Sequence, residues 1–75
     1  MMRLETILKI LVNKIRDRRV ELKMTQAKLA RLSGVSQNAI SQYERGDKIP
    51  RVDYALMLAG ALKCNVEELF EIVHT

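Results

Sequence analysis

Three glycines and one proline are all that interrupt this chain of 75 residues, and their positions constrain what it can fold into. They are Gly34, Gly46, Pro50 and Gly60. Helix formers dominate the stretches between them, and no β-branched cluster of period two stands out. The punctuation divides the chain into five short helical segments, so the expected fold class is all-α.

The first helix is predicted to run to about Lys23, with Ile15, Arg19 and Leu22 on one face. Upstream, Leu4, Leu8, Leu11 and Ile15 step by four, three and four, with Ile7 beside them. That spacing predicts that helix one extends unbroken through residues 1–12 as an apolar N-terminal helical extension. Its stripe needs a cover, either Phe70, Ile72 and Val73 of the same chain or a second subunit, and the subunit contact is the favoured expectation. The second helix starts at the N-cap Thr25, carries Leu29, Ala30 and Leu32, and stops at Gly34. After the turn Gly34-Val35-Ser36, a third helix runs from Gln37 to about Arg45 and ends at Gly46. The fourth, about Arg51 to Leu62, presents Val52, Ala55, Leu56, Leu58, Ala59 and Leu62 as a broad apolar face suited to burial. Asn65 then caps a last helix, with Glu68 placed for a capping box and Leu69, Phe70, Ile72 and Val73 on its apolar side.

Aromatic residues make up only 4% and there is no Trp, so the core must come from Leu, Ile, Val, Ala and Met. So small a core is marginal alone, which makes dimerisation the expectation. One cysteine, Cys64, and one histidine, His74, leave little from which to build a disulfide framework, a metal cluster or a catalytic triad. No enzyme activity and no cofactor are therefore expected. Lys9 interrupts the N-terminal apolar run, no small-residue cleavage site follows, and the run is far short of a membrane span. A soluble, cytoplasmic protein is the expectation.

Charge is unevenly spread. Residues 1–51 hold 12 bases against 5 acids, a net of +7, and residues 52–75 hold Lys63 against 4 acids, a net of −3. A basic face for a polyanion is the implied arrangement. Within it, two short helices joined by a tight glycine turn describe a helix-turn-helix. On the second of them Ile40 and Tyr43 are spaced to face the core, leaving Gln37, Asn38, Ser41 and Gln42 on the opposite arc. A solvated helix face more often carries Lys and Glu. Amides donate and accept together, which suits them to reading base edges in a DNA major groove. Arg45, Lys48 and Arg51 follow the helix, within reach of phosphates, and Gln26 opens the preceding helix, where another phosphate can meet its side chain and the helix amides.

Thr25-Gln26-Ala27-Lys28-Leu29-Ala30, Gly34-Val35-Ser36, Ile40-Ser41-Gln42-Tyr43-Glu44-Arg45-Gly46 and Ile49-Pro50 together resemble the Cro/cI-type helix-turn-helix of the lambda-repressor-like (XRE) family. Ala55-Leu56, Ala59, Ala61-Leu62 and Glu67-Glu68-Leu69-Phe70 are similar to its fourth and fifth helices. The resemblance covers residues 13–70, with the helix-turn-helix at about 25–45 and a short tail at 71–75. It implies a compact five-helix DNA-binding domain that inserts its third helix into the major groove. It places Gln37, Asn38 and Gln42 on bases, Ser41 on base or phosphate, and Gln26 on phosphate. Lys28, Arg45, Lys48 and Arg51 complete the expected phosphate contacts. It also implies an ion pair between Arg19 and Glu44, which would neutralise an acid otherwise odd on a DNA-facing helix. The chain departs from the family pattern at Ala27 and Lys28, where acids are common, and at Ala39, where Thr is common. It departs again at Lys63, which replaces the usual glycine and is expected to adopt a left-handed conformation.

The function implied is a sequence-specific transcriptional regulator, a repressor, binding double-stranded DNA at a pseudo-palindromic operator as a homodimer. The dimer contact is expected through Leu4, Ile7, Leu8 and Leu11 with the C-terminal apolar residues. The alternative is the antitoxin of a toxin–antitoxin pair, binding both DNA and a toxin protein through the N-terminal stripe.

Overall fold

Thr25 and Ser36 each turn extended backbone into a helix by the same device: the side-chain oxygen accepts the amide three residues on, Lys28 and Ala39 respectively. Gly34 and Gly46 end those two helices in the left-handed conformation, with φ of 81° and 79°. The helix-turn-helix is thus bounded at all four ends by its own sequence. The structure is a computed structural model and describes residues 9–74. Its elements are β1 (Lys9–Asn13), α1 (Ile15–Glu21), α2 (Gln26–Ser33), α3 (Gln37–Arg45), α4 (Val52–Ala61), α5 (Val66–Leu69) and β2 (Phe70–His74).

Every helix contributes to a single core. Ile15 of α1, Leu29 of α2, Ile40 of α3, Leu58 of α4 and Leu69 of α5 are fully buried, as is Leu62 just past α4. Each such side chain gains about 1.5–3 kcal/mol over exposure. Polar side chains tie the pieces together. Arg18 donates to the carbonyls of Leu62 (3.0 Å) and Lys63 (3.3 Å), satisfying the end of α4 from α1. Asn65 and Glu68 form the capping box that starts α5. Cys64 is half-buried against the core, and burial pushes its thiol up.

The N-terminal helical extension does not form over residues 9–13. Those residues are a strand, antiparallel to β2, with Lys9 opposite His74, Ile10 opposite Val73, Leu11 opposite Ile72, Val12 opposite Glu71 and Asn13 opposite Phe70. Helix one begins only at Ile15. The four–three–four leucine spacing fits a helix, but β-branched residues, Ile10 and Val12 on one strand and Ile72 and Val73 on the other, favour extended backbone, and the ribbon gives both segments a pairing partner. The 71–75 tail is likewise corrected: 71–74 belong to β2, and the last helix stops at Leu69. Within residues 9–13 the stripe's Leu11 pairs with Ile72 of the same chain and lines an open apolar groove. Leu4, Ile7 and Leu8 lie outside the described residues. Helix four also differs from expectation, because Val52 is 77% and Leu56 59% exposed, while Ala55, Leu58 and Ala59 are buried. Among the described residues, no helix is long and apolar enough to cross a membrane, and no cluster of potential metal ligands occurs.

Candidate nucleic-acid interface

The residues of α3 divide as their spacing requires. Ile40 and Tyr43 are buried and hold the helix to the core. Gln37 and Asn38 are exposed at its start, and Ser41 and Gln42 are half-exposed one turn on. Gln26 and Arg45 nearby spend their side chains on protein partners, whereas the amides of Gln37, Asn38 and Gln42 make no side-chain hydrogen bond with described residues. Three uncommitted amides on one helix face leave their donors and acceptors available to a ligand.

Beneath them lies a buried ion pair. Arg19 donates from Nε to Glu44 Oε2 (2.7 Å) and from Nη2 to Oε1 (3.0 Å), and from Nη1 to the Met24 carbonyl (2.8 Å). Gln26 Nε2 adds a third donor to Glu44 Oε1 (3.0 Å). The two charged side chains are only 13% and 4% exposed. Burial alone would raise the Glu44 carboxyl. The hydrogen bonds from Arg19 and Gln26, with the charges of Arg19 and Arg16, outweigh it and hold the group below the usual carboxylate range. The hydrogen bond to Glu44 raises the Arg19 guanidinium in turn. Glu44 is therefore a neutralised strut between α1, α2 and α3, and it presents little charge outward.

The cations distribute less uniformly. Lys28, Arg45, Lys48 and Arg51 are all exposed. Arg45 bridges Ser41 Oγ (2.6 Å) and Asp47 Oδ2 (2.8 Å), a surface arrangement of low intrinsic worth that a stronger anion can displace. Arg51 forms two hydrogen bonds to Asp53 (3.0 and 2.7 Å) and lies over the Tyr54 ring at 4.3 Å, so its charge is already compensated within the chain. At the N-terminus of α2, the Thr25 side chain occupies the Lys28 amide, and Gln26 and Ala27 follow the cap with amides that no helical carbonyl can reach. Arg16, exposed on α1, joins Gln26, Ser41 and Arg45 around a polar cleft of about 250 Å³. No sequence motif marks Arg16; only the packing of α1 beside α3 brings it there.

Two helices capped at both ends, a three-residue link between them and an amide-bearing second helix make this a helix-turn-helix protein. The family profile described as helix-turn-helix matches residues 15–69, and the chain belongs to that family, in its lambda-repressor-like (XRE) branch. Among its relatives, repressor protein C2 of Salmonella phage P22 is 43% identical over 58 residues, which is 77% of this chain. Those residues span 27% of the phage protein. An uncharacterized HTH-type transcriptional regulator of Bacillus subtilis (strain 168), YgzD, is 29% identical over 58 residues, covering 77% of this chain and 88% of the relative. Among solved structures, the P22 c2 repressor in complex with synthetic operator 9T in the presence of Tl+ superposes with a TM-score of 0.68 at 44% identity. That match covers 72% of this chain and 82% of the other. Both strands of the ribbon fall outside residues 15–69.

Proposed function

We propose that this protein is a sequence-specific DNA-binding transcriptional repressor that reads a pseudo-palindromic operator as a homodimer. The observation that carries the reading is the row of uncommitted amides on α3, in a chain 44% identical to an operator-bound repressor domain. Helix α3 enters the major groove, where Gln37, Asn38 and Gln42 read base edges and Ser41 contacts base or backbone. Gln26, Lys28, Arg45 and Lys48 hold phosphates, and Arg51 adds a contact if it leaves Asp53. Repression follows from occupying the operator and excluding polymerase, within the cytoplasm. Both relatives named above are regulators, which does not favour the antitoxin alternative.

The homodimer has a candidate face. Ile49, Val52 and Leu56, each more than half exposed, line a groove of about 250 Å³ with Leu11, Pro50 and Phe70. None of these residues is charged, so a two-fold copy meets no like charge across the axis. The face begins four residues after α3 and follows the Gly46–Lys48 loop. Pairing there would set two recognition helices side by side, with half-sites about 34 Å apart.

Selection of bound sequences from random DNA tests the reading. A palindromic consensus is expected from the wild type. Gln37→Ala is expected to cost about 1–3 kcal/mol and to relax preference at one position of each half-site. Recovery of no consensus, or an unchanged consensus and affinity for Gln37→Ala, would overturn it.

A further inference from the structure

We infer that the outer edge of β2 is a contact between two copies of this chain, joining their ribbons into one four-stranded antiparallel sheet centred on Ile72. This rests on the homodimer reading and adds to it a residue that does not line the groove and lies outside residues 15–69. One hydrogen bond sets the direction of every backbone group in the ribbon. Lys14 donates its amide to the Leu69 carbonyl (2.8 Å), the residue that the register places opposite it. Hydrogen-bonded pairs alternate along an antiparallel ladder, so the next are Val12–Glu71 and Ile10–Val73. The amides and carbonyls of Phe70, Ile72 and His74 therefore face away from β1. Phe70 spends its amide on the Val66 carbonyl of α5. Its carbonyl, and both backbone groups of Ile72, have no backbone partner among the described residues.

Folded proteins blunt such edges with lysine, proline, a bulge or a covering segment. Phe70–His74 contains neither lysine nor proline, and its register with β1 is unbroken. Ile72 stands on it 57% exposed. The β1 edge differs, because Lys9 opens it, Lys14 follows it, and Asn13 ties its end to the Tyr43 carbonyl of α3 (3.0 Å). The β2 edge is also complementary to itself. A two-fold axis at Ile72 lets the two Ile72 residues exchange a reciprocal pair of hydrogen bonds. Each His74 amide then meets the Phe70 carbonyl of the other copy, and Phe70 needs no amide for this. Charge and length select the register. An axis at Glu71 sets two carboxylates opposite each other, and an axis at Val73 carries the Phe70 carbonyl past the end of the opposing strand. With the axis at Ile72, Glu71 meets Val73 and keeps its own Lys14 (3.2 Å). The two Ile72 side chains cover each other on the ribbon face that carries Leu11 and Phe70, so the contact continues the apolar groove. A two-stranded ribbon is marginal alone, and a four-stranded sheet with one apolar face removes that weakness.

Residue-resolved hydrogen exchange of the full chain, at protein concentrations on either side of the monomer–dimer transition seen by sedimentation, tests the contact. The Glu71 and Val73 amides, bonded within the ribbon, are expected to be protected at both concentrations. The Ile72 and His74 amides are expected to gain protection only in the dimer. Ile72→Pro removes an outward amide and no bond to β1. It is expected to keep the far-ultraviolet circular dichroism of wild type and to weaken dimerisation by about tenfold or more, while Ile72→Val dimerises as wild type does. An Ile72 amide that exchanges freely in the dimer, or an Ile72→Pro variant that dimerises like wild type, overturns the edge contact and leaves the groove to hold the homodimer. An Ile72 amide protected equally in monomer and dimer shows the edge covered within one chain and overturns it too. A wild type that stays monomeric at every concentration, with and without a duplex recovered by selection from random DNA, overturns both the edge contact and the homodimer reading.

Discussion

Glu44 shows how one residue can be read wrongly in isolation and correctly in contact. An acid on a DNA-facing helix would repel phosphate, yet its charge is spent on Arg19 and Gln26. Removing one member of so buried a pair leaves the other uncompensated. Arg19→Ala is expected to lower stability by about 3 kcal/mol in urea unfolding. The carboxyl is held below its ordinary range when folded, so the folded chain binds fewer protons than the unfolded one in acid. Its stabilisation is full above the ordinary glutamate range and is lost as pH falls through the lowered folded value. Glu44→Gln is expected to flatten that acid limb when unfolding free energy is measured against pH. A second residue-scale feature is backbone strain. Lys63 has φ 56°, the left-handed conformation expected of it from the sequence, and Lys23 shares it. Lys63→Gly is expected to raise stability by about 1 kcal/mol, read from the denaturant midpoint.

Among the elements, α2 and α3 carry their own instructions, and the β1–β2 ribbon does not. Thr25, Ser36, Gly34 and Gly46 each act on backbone within a few residues, so sequence reading located both helices nearly to the residue. The ribbon joins residues about 60 positions apart, and neither strand announces itself alone. Leu11 and Ile15 fit a helical stripe as well as they fit a strand followed by a helix. Asn13 resolves the choice. Its Oδ1 accepts the Ile15 amide (2.9 Å), opening α1, and its Nδ2 donates to the Tyr43 carbonyl (3.0 Å) at the end of α3. The backbone of Lys14 then donates to the Leu69 carbonyl (2.8 Å). Asn13→Ala is expected to cost about 1–2 kcal/mol. Hydrogen exchange should show lost protection at the ribbon and the last turn of α3 before the rest of the core, since a two-stranded ribbon is marginal by itself.

At the scale of the whole molecule, charge and apolar surface are sorted onto different faces. Arg16, Arg19 and Arg45 gather where α1, α2 and α3 meet, against the single acid Glu44. Ile49, Val52 and Leu56 collect on an uncharged face beyond the loop. If that face is the dimer contact, the double variant Val52→Glu/Leu56→Glu should remain folded, because both side chains are mostly exposed, and should sediment as a monomer where wild type dimerises. A variant that still dimerises places the contact elsewhere.

Sequence alone determined the local grammar: four caps, the amide face of α3 and the family, whose resemblance implied the Arg19–Glu44 pair. Those features depend on neighbours within a turn or on a motif of fixed spacing. Tertiary structure decided what depends on distant chain segments. It turned residues 9–13 from helix to strand by supplying β2 as a partner, exposed Val52 and Leu56 on the apolar face of α4, and drew Arg51 onto Asp53. It also placed Arg16 beside Arg45, because helix packing, and no spacing in the chain, fixes which side chains of α1 and α3 share a cleft.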